Sequence, residues 1–385
     1  MSEPHLTEAE ITRYSRQTIL PGVGLEGQVK LKNSRVLVIG AGGLGSPVLL
    51  YLAAGGIGTL GIADPDTVTT HNLQRQIIHD TPSEGERKVT VARRKIEALN
   101  PHTKTIEHPT GITPENALGI FSEYDLIIDA TDNFPTRFLN NDAAYLARKP
   151  LVSGSILRYE GQFALFDPNR SGPCYRCLFP RMPEPGTVPN CAEAGVLGAL
   201  AGIIGSAQAF LAIRYLLGIG DAALGQLTVY RGTENQFRTL QLKKDPHCPL
   251  CSKKPEIMEI DPQNYQWQCS SETSDGDEPP LEISVQEAAE RLRTAPENHF
   301  LLDVREPDEW NLVRIPEAQL IPMGNVAGQT DALPKEKTIL VHCHHGMRSL
   351  RVTQFLRQKG FPKVTNIAGG IDAWAREVDP SLKRY

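Results

Sequence analysis

The chain has 385 residues, 40% of them apolar, and 40 Lys and Arg against 45 Asp and Glu give a formal net charge of −5. That length exceeds one ordinary core and suits two domains. The slight acidity, without any long Lys/Arg run, argues against nucleic acid or an anionic membrane as the main partner and for a small molecule or another protein.

The N-terminal stretch MSEPHLTEAEITRYSRQ carries neither the basic patch nor the apolar segment of a secretory signal, so a cytoplasmic location is expected. Residues 34–45, SRVLVIGAGGLG, read as an apolar strand running into a glycine-rich turn, and PVLLYLAAGG as a helix closing on glycine. Gly40, Gly42 and Gly45 fit G-x-G-x-x-G, where bare backbone approaches phosphates and a helix N-terminus favours their charge. TLGIAD is a second strand, and Asp64 at its end is placed to accept from a ribose hydroxyl. The turn alone divides evenly between a dinucleotide and a mononucleotide. The segment DPDTVTTHNLQRQ then adds Asp66, Asn72, Arg75 and Gln76, and Lys88 lies on the next helix, expected over Val89–Leu99. A hydride-transfer site does not need these cations; a triphosphate attacked at its α-phosphorus does. YDLIIDATD is a third strand, and Asp129 or Asp132 beyond it can hold a magnesium where an open sheet binds its ligand. The alternation predicts an α/β fold with a Rossmann-like doubly wound parallel sheet.

Farther on, Cys174–Cys177 and Cys248–Cys251 form two Cys-x-x-Cys knuckles, and four thiolates predict a closed, structural zinc site in a reducing compartment. Cys191 precedes the apolar run Ala194–Leu217; a thiol at a helix N-terminus is a better nucleophile, the alternative being a buried cysteine with no covalent role. Gln208 and Arg214 interrupt that run and no basic cluster anchors it, so a buried helix at a subunit interface is expected rather than a membrane span. Residues 256–281 are polar, acidic and proline-containing and read as a linker, and Cys269 within it is assigned no role. Alternation resumes over 282–385 on a smaller scale, with a helix over Val285–Thr294, strands HFLLDVR and TILVHC, and a helix from near Ser349. Cys343 ends the second strand, the loop HHGMR curves its amides round the sulfur, and the helix aims its positive end at it, an arrangement suited to a persulfide. The Cys-x4-Arg spacing to Arg348 is one residue shorter than the Cys-x5-Arg loop of cysteine phosphatases and frames one sulfur rather than a phosphate. Asp303 and Arg305 read as braces of this loop.

In this order, RYSRQTILPGVGLEGQVKLKNSRVLVIGAGGLGSP, DPDTVTTHNLQRQ, DATDNFPTR and PCYRC…CPLC resemble the MoeB/ThiF family of adenylyltransferases over about residues 5–251. HFLLDVREPDEW, RIPEAQLIPMG, ILVHCHHGMRS and AGGIDAW resemble a rhodanese domain. The resemblance implies an adenylyltransferase domain over 1–255 and a sulfurtransferase domain over 282–385. The first adenylates, with ATP and magnesium, the C-terminal glycine of a ubiquitin-like sulfur-carrier protein ending in Gly-Gly. It further implies that Gly40, Gly42, Gly43 and Gly45 form the phosphate turn, that Asp64 holds the ribose, that Asn72 and Gln76 complete the ATP site, that Arg75 and Lys88 meet the phosphates and that Asp132 is the magnesium carboxylate. Arg16 would reach the ATP of the opposite subunit, which makes the chain a homodimer, and Cys191 would bond transiently with the activated carrier. Cys343, with Arg348 closing its loop, would carry the sulfur taken from a donor such as a cysteine desulfurase or thiosulfate. The fusion is similar to MoeZ-type proteins and points to molybdopterin biosynthesis, with thiamine, cysteine and tRNA-thiolation pathways as alternatives. A nicotinamide oxidoreductase, a ubiquitin-type conjugating enzyme with a stable thioester on Cys191 and a non-enzymatic scaffold that docks a carrier are the other readings.

Overall fold

The computed structural model describes residues 5–183, 195–220, 224–265 and 279–385. It divides into two compact units, Met1–Trp267 and Gln268–Tyr385.

In the first unit, strands β1 (Arg35–Ile39), β2 (Thr59–Ala63), β3 (Lys104–His108), β4 (Leu126–Asp129), β5 (Leu151–Leu157), β6 (Glu160–Phe166), β7 (Gln226–Arg231) and β8 (Gln236–Gln241) form one sheet. Their order is β3-β2-β1-β4-β5-β6-β7-β8. The pairs from β3 through β5 are parallel, so the expected Rossmann-like half is present. From β5 to β8 the sheet continues antiparallel, an extension of the expected parallel half. Residues 158 and 159 close the β5–β6 hairpin, with Arg158 at φ 54°; antiparallel neighbours need no helical crossover, so no helix period announces them. β1 shows why the parallel strands are apolar throughout: Val36 and Val38 enter the core under one face, Leu37 and Ile39 the core under the other.

The long helix Gly198–Leu217 belongs to that first core, through Leu200, Ile204, Leu211 and Ala212. Among the described residues it is the one helix long and apolar enough to cross a membrane. Its packing is that of a core helix. A Cβ on Gly205 would sit 2.4 Å from the Leu44 carbonyl oxygen, and the buried Gln208 donates from Nε2 to the Asp129 carbonyl at 2.8 Å. Its remaining face shows Ile203 and Phe210 to solvent. Residues 257–265, within the segment read from composition as linker, lie on the first unit: Ile260 and Tyr265 pack into its second core, and the Tyr265 hydroxyl donates to Asp142 Oδ2 at 2.9 Å.

The second unit is a parallel sheet of β9 (Glu282–Ile283), β10 (His299–Asp303), β11 (Gln319–Leu320), β12 (Thr338–His342) and β13 (Val364–Ile367), in the order β11-β10-β12-β13-β9. The expected helix Val285–Thr294 is present, capped by Ser284, and the helix expected near Ser349 begins at Met347. Pairing of Asp303 with His342 in register brings the C-terminal ends of β10 and β12 together beside Cys343.

Candidate active sites

A cavity of about 540 Å³ opens at the C-terminal ends of β1, β2 and β4, the ligand edge of an open α/β sheet. Its wall includes Gly40, Gly42, Gly43, Asp64, Asp66, Arg75, Gln76, Lys88 and Asp132. Two glycines here are geometric necessities. Gly40 sits at φ 94° with a Cβ position 2.8 Å from the Ala130 oxygen, and on Gly45, which starts the next helix, a Cβ would lie 1.8 Å from the Gly40 oxygen. Gly45 thus shapes the turn without lining the cavity. Gly42, by contrast, has no protein atom closer than 3.6 Å to its Cβ position; its bareness leaves room for a ligand.

Asp64 is buried and holds the turn in place: Oδ2 accepts from the Ala41 amide at 2.8 Å, Oδ1 from the Asp66 amide at 2.9 Å. Burial pushes its carboxyl up, against the pull of Lys88. Lys88, itself buried, donates to Asp66 Oδ2 at 2.8 Å and lies 4.0 Å from Asp64. Arg75 is held by Asn72, whose Oδ1 accepts from its Nη2 at 3.0 Å. Asn72 therefore aims Arg75 and does not itself reach the cavity wall. Gln76 is buried, and its Oε1 has no donor from the described protein, as fits a position that meets a ligand's hydroxyl or amine. Of the two candidate metal carboxylates, Asp132 is exposed to the cavity, whereas Asp129 is wholly buried and accepts from the Thr131 amide at 3.0 Å and hydroxyl at 2.6 Å. Asp129 braces the loop and is not available to a metal. Arg16 lies exposed on helix Glu8–Thr18, away from its own chain's cavity.

Two further residues shape the site, His79 behind the turn and Arg137 in the wall. His79 sits beneath the turn with Nε2 2.9 Å from the Ala41 carbonyl, and burial holds it below the usual histidine range, so the neutral ring donates there. Arg137 donates to the Thr131 carbonyl at 2.7 Å and lines the cavity with Phe134 and Tyr175. His79 stands outside any motif; Arg137 ends the DATDNFPTR segment, but only folding brings helix Phe134–Leu146 against the glycine turn.

The four knuckle cysteines converge. Their sulfurs all lie within 4.8 Å of one another, with Cys174–Cys248 at 3.6 Å and Cys177–Cys251 at 3.4 Å. Sulfurs bound tetrahedrally at ~2.3 Å stand just under 4 Å apart, so the set could hold a zinc. Backbone amides of Asp245 and Cys251 point at Cys177 and Cys248 sulfurs at 3.4 Å, as thiolate knuckles require. Arg176 between the first two cysteines forks onto the buried Asp142 at 2.6 Å, tying the knuckle to helix Phe134–Leu146. Cys191, Cys269 and their neighbours lie outside the described residues.

In the second unit Cys343 is buried at the end of β12, and its sulfur accepts from the Gly346 amide at 3.2 Å and the Ser349 hydroxyl at 3.4 Å. The loop folds tightly because Gly346 (φ 94°) and Gly370 (φ 57°) take backbone shapes closed to most residues; a Cβ on Gly370 would meet the Cys343 oxygen at 2.4 Å. Arg348 does not reach the sulfur: both its Nη atoms donate to Glu309 at 2.6 Å. Against the upward push of burial, that fork and the Glu306 amide hold Glu309 at about 2. Arg305 and Asp303 are both fully buried and paired at 2.6 Å, with Arg305 Nη2 also donating to the Val313 carbonyl at 2.9 Å, which makes them braces. His344 is held down to about 4, by burial and then by its neighbour His345.

The model of the ThiF family matches residues 14–250, and that of the rhodanese-like domain matches residues 284–377. The probable adenylyltransferase/sulfurtransferase MoeZ of Mycobacterium tuberculosis is 43% identical over 387 residues, 99% of this chain and 96% of its own. The adenylyltransferase and sulfurtransferase MOCS3 of Drosophila sechellia is 40% identical, over 99% of this chain and 86% of its own. The first unit's fold is that of Escherichia coli MccB crystallised with ATP, at TM-score 0.55 and 22% identity over 62% of this chain and 74% of MccB. The sheet order, the glycine turn and the full-length likeness agree: this chain belongs to the ThiF family and carries a rhodanese-like domain after it.

Proposed function

We propose that this chain is an adenylyltransferase and sulfurtransferase that activates the C-terminal glycine of a ubiquitin-like sulfur-carrier protein and converts it to a thiocarboxylate. The observation that carries the reading is one chain joining a cavity with two cations at a bare glycine turn to a cysteine whose sulfur is met by an amide and a hydroxyl. ThiF-family membership removes the dehydrogenase alternative.

In the first half-reaction the carrier carboxylate attacks the α-phosphorus of ATP, and pyrophosphate leaves. Arg75 and Lys88 offset the charge that grows on the phosphoryl oxygens, and Asp64 orients the ribose. Asp132 is the residue that would hold magnesium, which supplies further charge neutralisation when bound. In the second, the terminal sulfur of a Cys343 persulfide attacks the acyl-adenylate, giving an acyl disulfide and AMP. A second thiolate, for which Cys191 is the candidate, then attacks the Cys343 sulfur. The carrier thiocarboxylate leaves, and a Cys343–Cys191 disulfide remains for a cellular thiol to reduce. The exposed position of Arg16 and the apolar residues Ile203 and Phe210 support a homodimer in which Arg16 serves the partner's ATP. The pathway is that of molybdopterin, by likeness to MoeZ, and the enzyme works in the cytoplasm. The sulfur comes from a cysteine desulfurase or from thiosulfate.

The test is ATP–pyrophosphate exchange with magnesium and a panel of Gly-Gly-terminated carriers. Exchange that appears with one carrier and not without it is expected; no exchange with any of them, from folded protein, would overturn the reading. A zinc in the four-cysteine set would join the segment after β6 to the segment after β8, so stripping it with a strong chelator should lower the first unit's melting temperature by ten degrees or more, given the roughly 10 kcal/mol scale of structural zinc binding. An unchanged transition after verified metal loss would remove zinc from the fold.

A further inference from the structure

Tyr385 follows the last helix, Gly370–Glu377, and no sequence pattern marks it. Its ring lies parallel to His344, 4.3 Å between centroids at 6°. Its hydroxyl accepts from Arg305 Nη1 at 2.8 Å and donates to Glu309 Oε1 at 3.1 Å. Glu309 is the carboxylate that grips Arg348. One side chain therefore touches the first residue after Cys343 directly and, through Glu309, the residue that closes the loop. Through Arg305 and Asp303 it also connects to the strand end paired with His342.

We propose that Tyr385 is a positioning residue for sulfur transfer: it clamps both ends of the 344–348 loop so that the Gly346 amide and the Ser349 hydroxyl stay on the Cys343 sulfur. The clamp rests on the rhodanese reading of Cys343. It acts on the transferring sulfur and not on donor capture, because neither His344 nor Arg348 is left as a free cation for an anionic donor. The ring is 39% exposed, so its loss opens no core cavity.

The experiment uses the full chain with thiosulfate as donor and cyanide as acceptor. The Cys343 thiolate takes the outer sulfur of thiosulfate and releases sulfite; cyanide then takes that sulfur as thiocyanate and returns the thiolate. Tyr385→Ala should lower kcat about tenfold with little change in KM for thiosulfate, as expected from losing a charge-assisted hydrogen bond and a stacked ring. Tyr385→Phe keeps the stack and should recover part of that loss. Wild-type kcat in both variants would overturn the clamp. So would a kcat loss accompanied, in both variants, by loss of the second unit's melting transition, which would assign Tyr385 to the fold. No thiocyanate from the unaltered chain would instead overturn the rhodanese reading itself, and the clamp with it.

Discussion

Cys343→Ala should abolish thiocarboxylate formation, by at least ~10³-fold as befits removal of a nucleophile, while ATP–pyrophosphate exchange continues at the wild-type rate. The fold should survive. Ser349 keeps its hydrogen bond to the Gly346 carbonyl at 3.0 Å, and trimming one small buried side chain costs about 1 kcal/mol. Cys343→Ser, which fills the same space with a poor sulfur carrier, should behave alike. Exchange and carrier adenylation measured beside thiocarboxylate, by mass spectrometry of the carrier, decide the matter. Loss of both activities would mean that the two units do not divide the chemistry as proposed, and retention of both would remove Cys343 from it.

Arg75→Ala and Lys88→Ala should each reduce exchange about 10²- to 10³-fold, the usual cost of deleting one preorganised charge at a reacting phosphoryl group, yet they should differ in stability. Arg75 is half-buried and, among the described residues, hydrogen-bonds Asn72 and the His71 carbonyl, so its removal leaves no buried charge behind there and should shift stability by under ~0.5 kcal/mol. Lys88 is buried between Asp64 and Asp66. Its removal strands the Asp64 carboxylate, which burial already pushes toward protonation. The loss should be about 2 to 3 kcal/mol, below the ~3–5 kcal/mol of a fully buried pair because Asp66 is open to water. Denaturant melts of the two variants separate the cases. Equal stability would show that Asp64 finds another partner, and full exchange in Arg75→Ala would take that guanidinium out of the reaction.

Much of this protein is legible before folding. The turn at Gly40–Gly45, the cations that follow it, the two Cys-x-x-Cys knuckles and the Cys-x4-Arg loop are short-range patterns, and each works because neighbouring backbone groups must adopt one local shape. Strands such as Val36–Ile39 and Leu126–Ile128 declare themselves because burial on both faces demands unbroken apolar residues. Spacing alone leaves both carboxylates of the DATD segment open and the family resemblance names Asp132; the fold supplies the physical reason. Asp129 and Asp132 are three residues apart, and only the turn at Thr131, pinned by Asp129 itself, sends one into the core and the other to the ligand side. The pairing of β6 with β7, His79 beneath the glycine turn, the Arg348–Glu309 fork and the Tyr385 clamp join residues far apart in the chain. Their partners are chosen by packing across the sheet edges, a distance over which local periodicity holds no information.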